Sequence, residues 1–69
     1  MVLTEVKKDG VYRVKALRGE GDMHRHLEDM GFIPGESVNI VSRIGGNLIV
    51  SIKGSRVALS KELASNIIV

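Results

Sequence analysis

The chain has 69 residues, a formal net charge of +2 and no cysteine. A domain of this size buries only about 60% of the surface of its unfolded chain, and without cysteine it has neither disulfides nor thiolate metal ligands. Lysines and arginines alternate with acidic residues, which excludes a basic stripe for phosphates, and no apolar run approaches the roughly 20 residues that span a bilayer. We expect one cytoplasmic domain over residues 1–69 that reaches a membrane only through a partner.

The first predicted strand lies in residues 11–17, where apolar and charged side chains alternate. The alternation places Tyr12, Val14 and Ala16 on one side of the strand. A period of two predicts a strand with one solvated face. The glycines within residues 18–21 predict a flexible loop before the next element.

One short helix is predicted between Asp22 and Gly31. We expect Asp22 to cap its N-terminus, because a carboxylate accepts hydrogen bonds from the free amides of a first helical turn. Three apolar residues recur at helical spacing and share one face, namely Met23, Leu27 and Met30. Gly31 supplies the left-handed residue at which a helix stops, and Leu27 and Phe32 occupy the two positions that touch in a Schellman motif. Because so short a helix is unstable alone, its apolar face must lie on a sheet.

The residues after this helix predict a rigid turn beside an apolar surface. Pro34-Gly35 is typical of a type II turn, since proline fixes the first φ and glycine accepts the positive second one. Ile33 directly follows Phe32 and cannot easily point inward with it. An apolar surface next to a rigid turn is a candidate site for a protein partner. We assign seven residues to this candidate partner-binding surface: Leu27, Met30, Gly31, Phe32, Ile33, Pro34 and Gly35.

Two further strands and a hairpin are predicted after the turn. One strand covers residues 36–44, and the two-residue hairpin turn falls at Gly45-Gly46 or at Gly46-Asn47, where positive φ is required. The next strand alternates in the same way. The apolar residues expected to face inward from these two strands are Val38, Ile40, Leu48, Val50 and Ile52.

The C-terminal part predicts two more strands around one helical turn. A turn at Gly54-Ser55 leads to a strand over residues 56–59, Ser60 caps a helical turn over residues 61–64, and residues 66–69 form a final strand. Five short strands, with one helix inserted after the first, predict a mainly β fold with one or two short helices. A small, partly closed SH3-like barrel suits this size, because closure protects the strand edges.

The sequence predicts no active site. Its serines lie in strands or turns without a histidine–acid pair nearby in sequence, and neither glycine-rich turn precedes the helix and lysine of a phosphate-binding loop. We therefore expect a protein that is not an enzyme and has no cofactor.

Two histidines raise the question of a metal site. On a helix, His24 and His26 point about 200° apart, so they cannot bind one ion together. The pairs that could meet are Asp22 with His26 and His24 with Glu28, each with two ligands where a firm site needs three or four. We assign no metal ligand, and weak surface binding of Fe²⁺, Zn²⁺ or Ni²⁺ remains an alternative.

Nucleic-acid binding is a second alternative, because small barrels often serve it. Arg43, Lys53 and Arg56 are expected to gather at one end of the sheet. The chain contains one tyrosine, one phenylalanine and no tryptophan, so it lacks a platform on which bases stack. We expect no nucleic-acid partner.

Taken together and in order, these segments resemble the FeoA family of small bacterial ferrous-iron transport accessory proteins. The family signature is a helix ending in arginine, leucine, any two residues, leucine, glycine, a hydrophobic residue, any residue, proline and glycine before a strand, and residues 26–38 are similar to it. The usual ending of the family is similar to residues 50–59, followed by Ala64 and residues 67–69. The resemblance therefore covers nearly the whole chain.

Three positions depart from the family pattern. His26 stands where arginine is common, Asn47 where a proline often begins the third strand, and Ser60 where an arginine often follows the alanine-leucine pair. Contacts that the family makes through those arginines are therefore not expected here.

The resemblance implies an SH3-like barrel with a helical insertion and a non-enzymatic role in Fe²⁺ uptake. The implied partner is FeoB, a large inner-membrane transporter with a cytosolic GTP-binding domain, on whose cytosolic part the candidate surface would dock. A sharper hypothesis has Arg18 or Arg25 act as an arginine finger on GTP bound to that partner. A free-standing adaptor with the same fold remains an alternative.

Overall fold

The structure is a computed structural model that describes residues 1–69. A short 3₁₀ turn over Leu3–Glu5 opens the chain. Six strands and two helices follow in the order β1 Gly10–Arg13, β2 Ala16–Leu17, α1 Gly21–Asp29, β3 Ser37–Ile44, β4 Asn47–Ile52, β5 Ser55–Leu59, α2 Lys61–Ala64 and β6 Ile67–Ile68. The mainly β fold with short helices is as predicted.

The strands form two antiparallel sheets. The larger sheet has the order β1-β3-β4-β5, and the smaller pairs β2 with β6. An isolated bridge between Val2 and Ile68 brings the start of the chain beside its end. The two sheets enclose one core, which fits the predicted curled, partly closed barrel.

The first predicted strand is divided in two, and this corrects the sequence analysis. β1 ends at Arg13, and the amide of Val14 then donates to Glu36 O, while the amide of Lys15 donates to Ile68 O. The chain thus changes partners from β3 to β6. Val14 is buried as expected, but Ala16 is exposed, because the change of sheet breaks the simple alternation.

The β3–β4 hairpin has the predicted turn. Ile44 pairs with Asn47, and Gly45 and Gly46 both have positive φ, 56° and 91°. A bulge between Ile40 and Ser42 shifts the register. The inward residues predicted for these strands are all buried, namely Val38, Ile40, Leu48, Val50 and Ile52.

The β4–β5 hairpin turns one residue earlier than predicted. Ile52 pairs with Ser55, so the two central residues are Lys53 and Gly54, with φ of 50° and 79°. Lys53 is the only residue other than glycine with positive φ. A two-residue hairpin of this kind requires positive φ at both central positions, and here the pairing of the flanking strands imposes it on a lysine.

Helix α1 ends as predicted but begins differently. The amide of Gly31 donates to Glu28 O at 2.9 Å and that of Phe32 to Leu27 O at 3.0 Å, which are the two hydrogen bonds of a Schellman motif. Asp22 is not the N-cap, because the helix begins at Gly21 and no side chain caps it. Asp22 lies in the first turn, where its negative charge interacts favourably with the positive end of the helix dipole.

The core consists of thirteen buried apolar residues from every part of the chain: Leu3, Val6, Val14, Leu27, Phe32, Val38, Ile40, Leu48, Val50, Ile52, Leu59, Ala64 and Ile67. No polar or charged side chain is buried with them. Helix α1 contributes Leu27, with Met30 packed against the cluster. No helix has both the length and the apolar character that crossing a membrane requires.

Candidate interaction surface

The turn that follows α1 has the predicted geometry. The amide of Glu36 donates to Ile33 O at 3.0 Å, and Gly35 has a φ of 93°. Proline at the first central position and a positive φ at the second define a type II turn. We call Ile33, Pro34 and Gly35 the corner.

Two hydrogen bonds fix the corner, and a third fixes the residue after it, to Arg13 and Val14 at the end of β1. The amide of Gly35 donates to Val14 O at 2.8 Å, and the amide of Val14 donates to Glu36 O at 2.9 Å. The Nη1 atom of Arg13 also donates to Gly35 O at 2.8 Å. The proline ring also fixes the φ of Pro34, so the hydrogen bonds and the proline together hold the corner in one conformation.

The seven residues assigned to the candidate surface divide into two groups. Leu27, Gly31 and Phe32 are buried and form the floor. Ile33 is 39% exposed. Pro34 and Gly35 are exposed as well, and Met30 is half-buried. The structure therefore brings all seven together, but only four offer surface to another molecule.

Lys53 covers one side of this floor. A β-carbon added at Gly31 would lie 3.3 Å from Cδ and 3.4 Å from Cε of Lys53, so the aliphatic stem runs across the end of α1. Sequence reasoning did not predict this contact, because it joins two turns 22 residues apart.

Two cations border the candidate surface, Arg13 through its bond to Gly35 and Lys53 through its position over Gly31. Both are exposed, and neither forms a salt bridge, since the only such pairs are His24 with Glu28 and Arg43 with Asp9. The surface is thus an apolar patch with two cations beside it, and the partly exposed Glu36 directly follows it in the chain.

The basic cluster predicted at one end of the sheet is absent. Arg43 pairs in register with Leu48 near the β3–β4 turn, and its Nε lies 3.2 Å from Asp9 Oδ1. Arg56 pairs in register with Ser51, close to the other end of β4, next to Lys53. Arg43 thus lies beside one end of β4, whereas Lys53 and Arg56 lie at its other end, so the three cations do not gather at one end of the sheet.

The two histidines of α1 have different surroundings. His24 Nδ1 lies 3.2 Å from Gly19 O, and its Nε2 lies 3.5 Å from Glu28 Oε1. His26 is exposed, and its ring has no hydrogen bond or carboxylate partner. Of the two pairs that helical spacing allows, the structure forms only that of His24 with Glu28. Nowhere do three or more metal-binding side chains of the histidine, cysteine and acidic types converge.

The sequence matches the family model of the FeoA domain over residues 1–69. The chain belongs to the FeoA domain family. A comparison with curated proteins gives no significant match.

Solved structures of FeoA proteins are similar over almost the whole chain. Iron(II) transport protein A from Clostridium thermocellum is 31% identical, with a TM-score of 0.88, over 99% of this chain and 43% of that one. FeoA from Stenotrophomonas maltophilia, complexed with zinc and described as a prokaryotic SH3 domain protein, is 27% identical, with a TM-score of 0.84, over 99% of this chain and 87% of that one. These likenesses agree with the SH3-like fold.

The same fold occurs within longer proteins. The repressor ScaR, solved with bound Cd²⁺, has a TM-score of 0.88 at 20% identity, over 97% of this chain. This chain spans about a third of the ScaR chain, 33%. At that identity the likeness concerns the fold alone.

Two departures from the usual FeoA pattern have a structural role in this protein. Asn47 Oδ1 accepts a hydrogen bond from the amide of Lys61 at 3.3 Å, and Ser60 Oγ accepts one from the amide of Leu63 at 3.2 Å. Both side chains therefore satisfy free amides at the start of α2, and the predicted cap at Ser60 is confirmed.

A shallow hollow in this FeoA protein was not anticipated from the sequence. Its volume is about 310 Å³, and it is lined by Met1, Glu5, Val6, Lys7, Lys8 and Tyr12. Glu5 accepts a hydrogen bond from the amide of Val2, and the Tyr12 hydroxyl donates to Lys8 O. The lining contains no serine, cysteine or histidine.

Proposed function

We propose that this FeoA protein is a non-enzymatic accessory factor of bacterial ferrous iron uptake that acts at the cytoplasmic face of the cell membrane. Its partner is a FeoB-like transporter with a cytosolic GTP-binding domain. Contact is made by the exposed corner, Ile33, Pro34 and Gly35, together with Met30. Leu27, Gly31 and Phe32 support this surface from beneath.

Family membership supports the iron-transport part of the proposal. The family model matches residues 1–69, and a relative of 31% identity is an iron(II) transport protein A. A second relative, 28% identical over 94% of this chain, is described as an iron uptake regulatory protein. These relatives motivate the role in ferrous iron uptake.

The fixed conformation of the corner supports the docking part. Binding costs free energy wherever loops and side chains must be ordered, and a preorganised surface avoids that cost. The corner has this property, because the type II turn and the hydrogen bonds to Val14 and Arg13 hold its backbone before a partner arrives. The 39% exposed side chain of Ile33 is the apolar anchor that such a surface offers.

An amide-resolved NMR titration with the cytosolic domain of the co-encoded transporter tests the proposal. We expect shifts to cluster at residues 30–36 and at Arg13. Ile33→Ser should weaken binding by about three- to sevenfold, since full burial of an aliphatic side chain contributes about 1.5–3 kcal/mol and only the exposed 39% of Ile33 remains to be covered by a partner.

Ile44→Ser is the matched control. Ile44 is 63% exposed and lies beside the β3–β4 turn, so it loses the same atoms at a different site. Its substitution should leave the affinity unchanged. Absence of shifts at high partner concentration, or equal effects of the two substitutions, would contradict docking through the corner.

A further inference from the structure

The imidazole of His24 is oriented by the loop that precedes α1. Its Nδ1 lies 3.2 Å from the carbonyl oxygen of Gly19, which can only accept a hydrogen bond. In the neutral ring, Nδ1 therefore carries the proton and Nε2 presents its lone pair. A histidine whose second nitrogen is held by a backbone carbonyl is the usual arrangement for a metal ligand.

The lone pair of Nε2 faces a carboxylate rather than a donor. Glu28 Oε1 lies 3.5 Å from Nε2, one helical turn further along. This separation exceeds the distance of a good N–H···O hydrogen bond, and the neutral tautomer has no proton between the two atoms. With the neutral ring, two electron-pair donors thus lie 3.5 Å apart, and a cation between them, either a proton or a metal ion, relieves their repulsion.

The spacing of these two atoms suits a single metal ion. Ligands at about 2.0–2.2 Å from a tetrahedral ion are separated by about 3.3–3.6 Å, because the angle between them is about 109°. The observed 3.5 Å falls within this interval without any movement of the helix. The side chains of His24 and Glu28 are 35% and 48% exposed, so an ion reaches them from solvent.

We propose that His24 Nε2 and Glu28 Oε1 form a surface site for one divalent transition-metal ion. An imidazole and a carboxylate together favour ions of the Zn²⁺, Ni²⁺ and Fe²⁺ type over Mg²⁺, which prefers oxygen ligands. Water fills the other coordination positions, so the ion binds reversibly and exchanges freely. This site lies on α1 and does not depend on the docking proposed for the corner.

The test is a Zn²⁺ titration that is monitored by NMR of the imidazole and backbone signals. Zinc chloride is raised to about 1 mM, the concentration at which a site with a binding free energy of only about 4 kcal/mol is half occupied. We expect saturable shifts of the His24 ring and of the amides around Glu28. His24→Gln should abolish them, and Glu28→Gln should weaken binding by about tenfold or more, since a two-ligand site loses half of its protein ligands. Mg²⁺ at the same concentration should not move the ring signals.

His26→Gln is the matched control, because His26 lies on the same helix two residues away and has no partner in the protein. It should bind Zn²⁺ as the unaltered protein does. Unchanged backbone spectra away from α1 would establish that each variant is folded. If His26→Gln reduces binding as much as His24→Gln does, or if Glu28→Gln has no effect, the paired site is wrong.

Discussion

The side chain of Lys53 lies across Gly31, with Cδ 3.3 Å from the place where a β-carbon would stand. This contact joins the β4–β5 turn to the end of α1, two residues before the corner begins. Both residues have positive φ, 50° for Lys53 and 102° for Gly31. The contact therefore couples the end of α1 to the β4–β5 turn, two segments that lie 22 residues apart in the sequence.

Gly31→Ala should destabilise the protein more than a change of backbone conformation alone would. An L-residue at positive φ costs about 1–2 kcal/mol, and the added methyl must also displace the stem of Lys53. We expect a loss of about 2–3 kcal/mol in the free energy of unfolding, measured by urea denaturation.

Gly35→Ala separates the two contributions. Gly35 has a φ of 93°, but nothing lies within 4 Å of an added β-carbon. It should therefore show only the conformational cost. Equal losses in the free energy of unfolding of the two variants would mean that the Lys53 side chain moves aside at no cost and that its contact with Gly31 does not contribute to stability.

Truncating a side chain should cost much more stability in the buried floor of the candidate surface than in its exposed part. Leu27 is fully buried, so Leu27→Ala should cost about 2–5 kcal/mol, a large part of the stability of so small a domain. Ile33→Ala should cost less, about 1 kcal/mol, because 39% of the side chain is already exposed to solvent in the folded protein.

Thermal unfolding of both variants beside the unaltered protein measures this difference. A partner-binding defect in Ile33→Ala would then report on the surface, whereas the same defect in Leu27→Ala would report on folding. A large loss of stability in Ile33→Ala would show that Ile33 belongs to the core.

Features that depend on a few neighbouring residues were predictable from the sequence. The Schellman stop at Gly31, the turn at Pro34-Gly35, the hairpin at Gly45-Gly46 and the cap at Ser60 all follow from residue types with specific backbone preferences. The pair of His24 and Glu28 was accessible for the same reason, because helical spacing places it on one face.

Features that depend on distant partners were not predictable. The break between β1 and β2 arises because the amide of Lys15 bonds to Ile68, at the other end of the chain. The positive φ of Lys53 arises from the pairing of Ile52 with Ser55. The separation of Arg43 from Arg56 likewise depends on strand register, which a single sequence specifies only through its inward-facing pattern.

Ser60→Ala should weaken α2. Ser60 Oγ is the acceptor for the amide of Leu63, and loss of such a cap costs about 0.5–2 kcal/mol. The urea midpoint should fall accordingly, and amide exchange should quicken at the start of α2. Ser37→Ala is the control, because Ser37 is exposed in a strand and its hydroxyl has no partner, and it should leave both measurements unchanged.

The two arginines proposed as fingers on GTP are exposed and unsupported. Arg18 is tied to the protein only through its backbone amide, which donates to Asn66 O, and Arg25 projects from α1 without a hydrogen bond or salt bridge from its guanidinium. A finger that acts in trans raises GTP turnover by about 10³–10⁵-fold, which requires the guanidinium to be held at the phosphates. Because nothing in this protein holds either guanidinium in place, we expect Arg18→Ala and Arg25→Ala to change GTP turnover by the transporter domain less than about twofold, well below the effect of losing an arginine finger.

Single-turnover GTP hydrolysis with saturating accessory protein measures this change. A loss of several hundredfold in one variant with unchanged binding would identify that arginine as a finger.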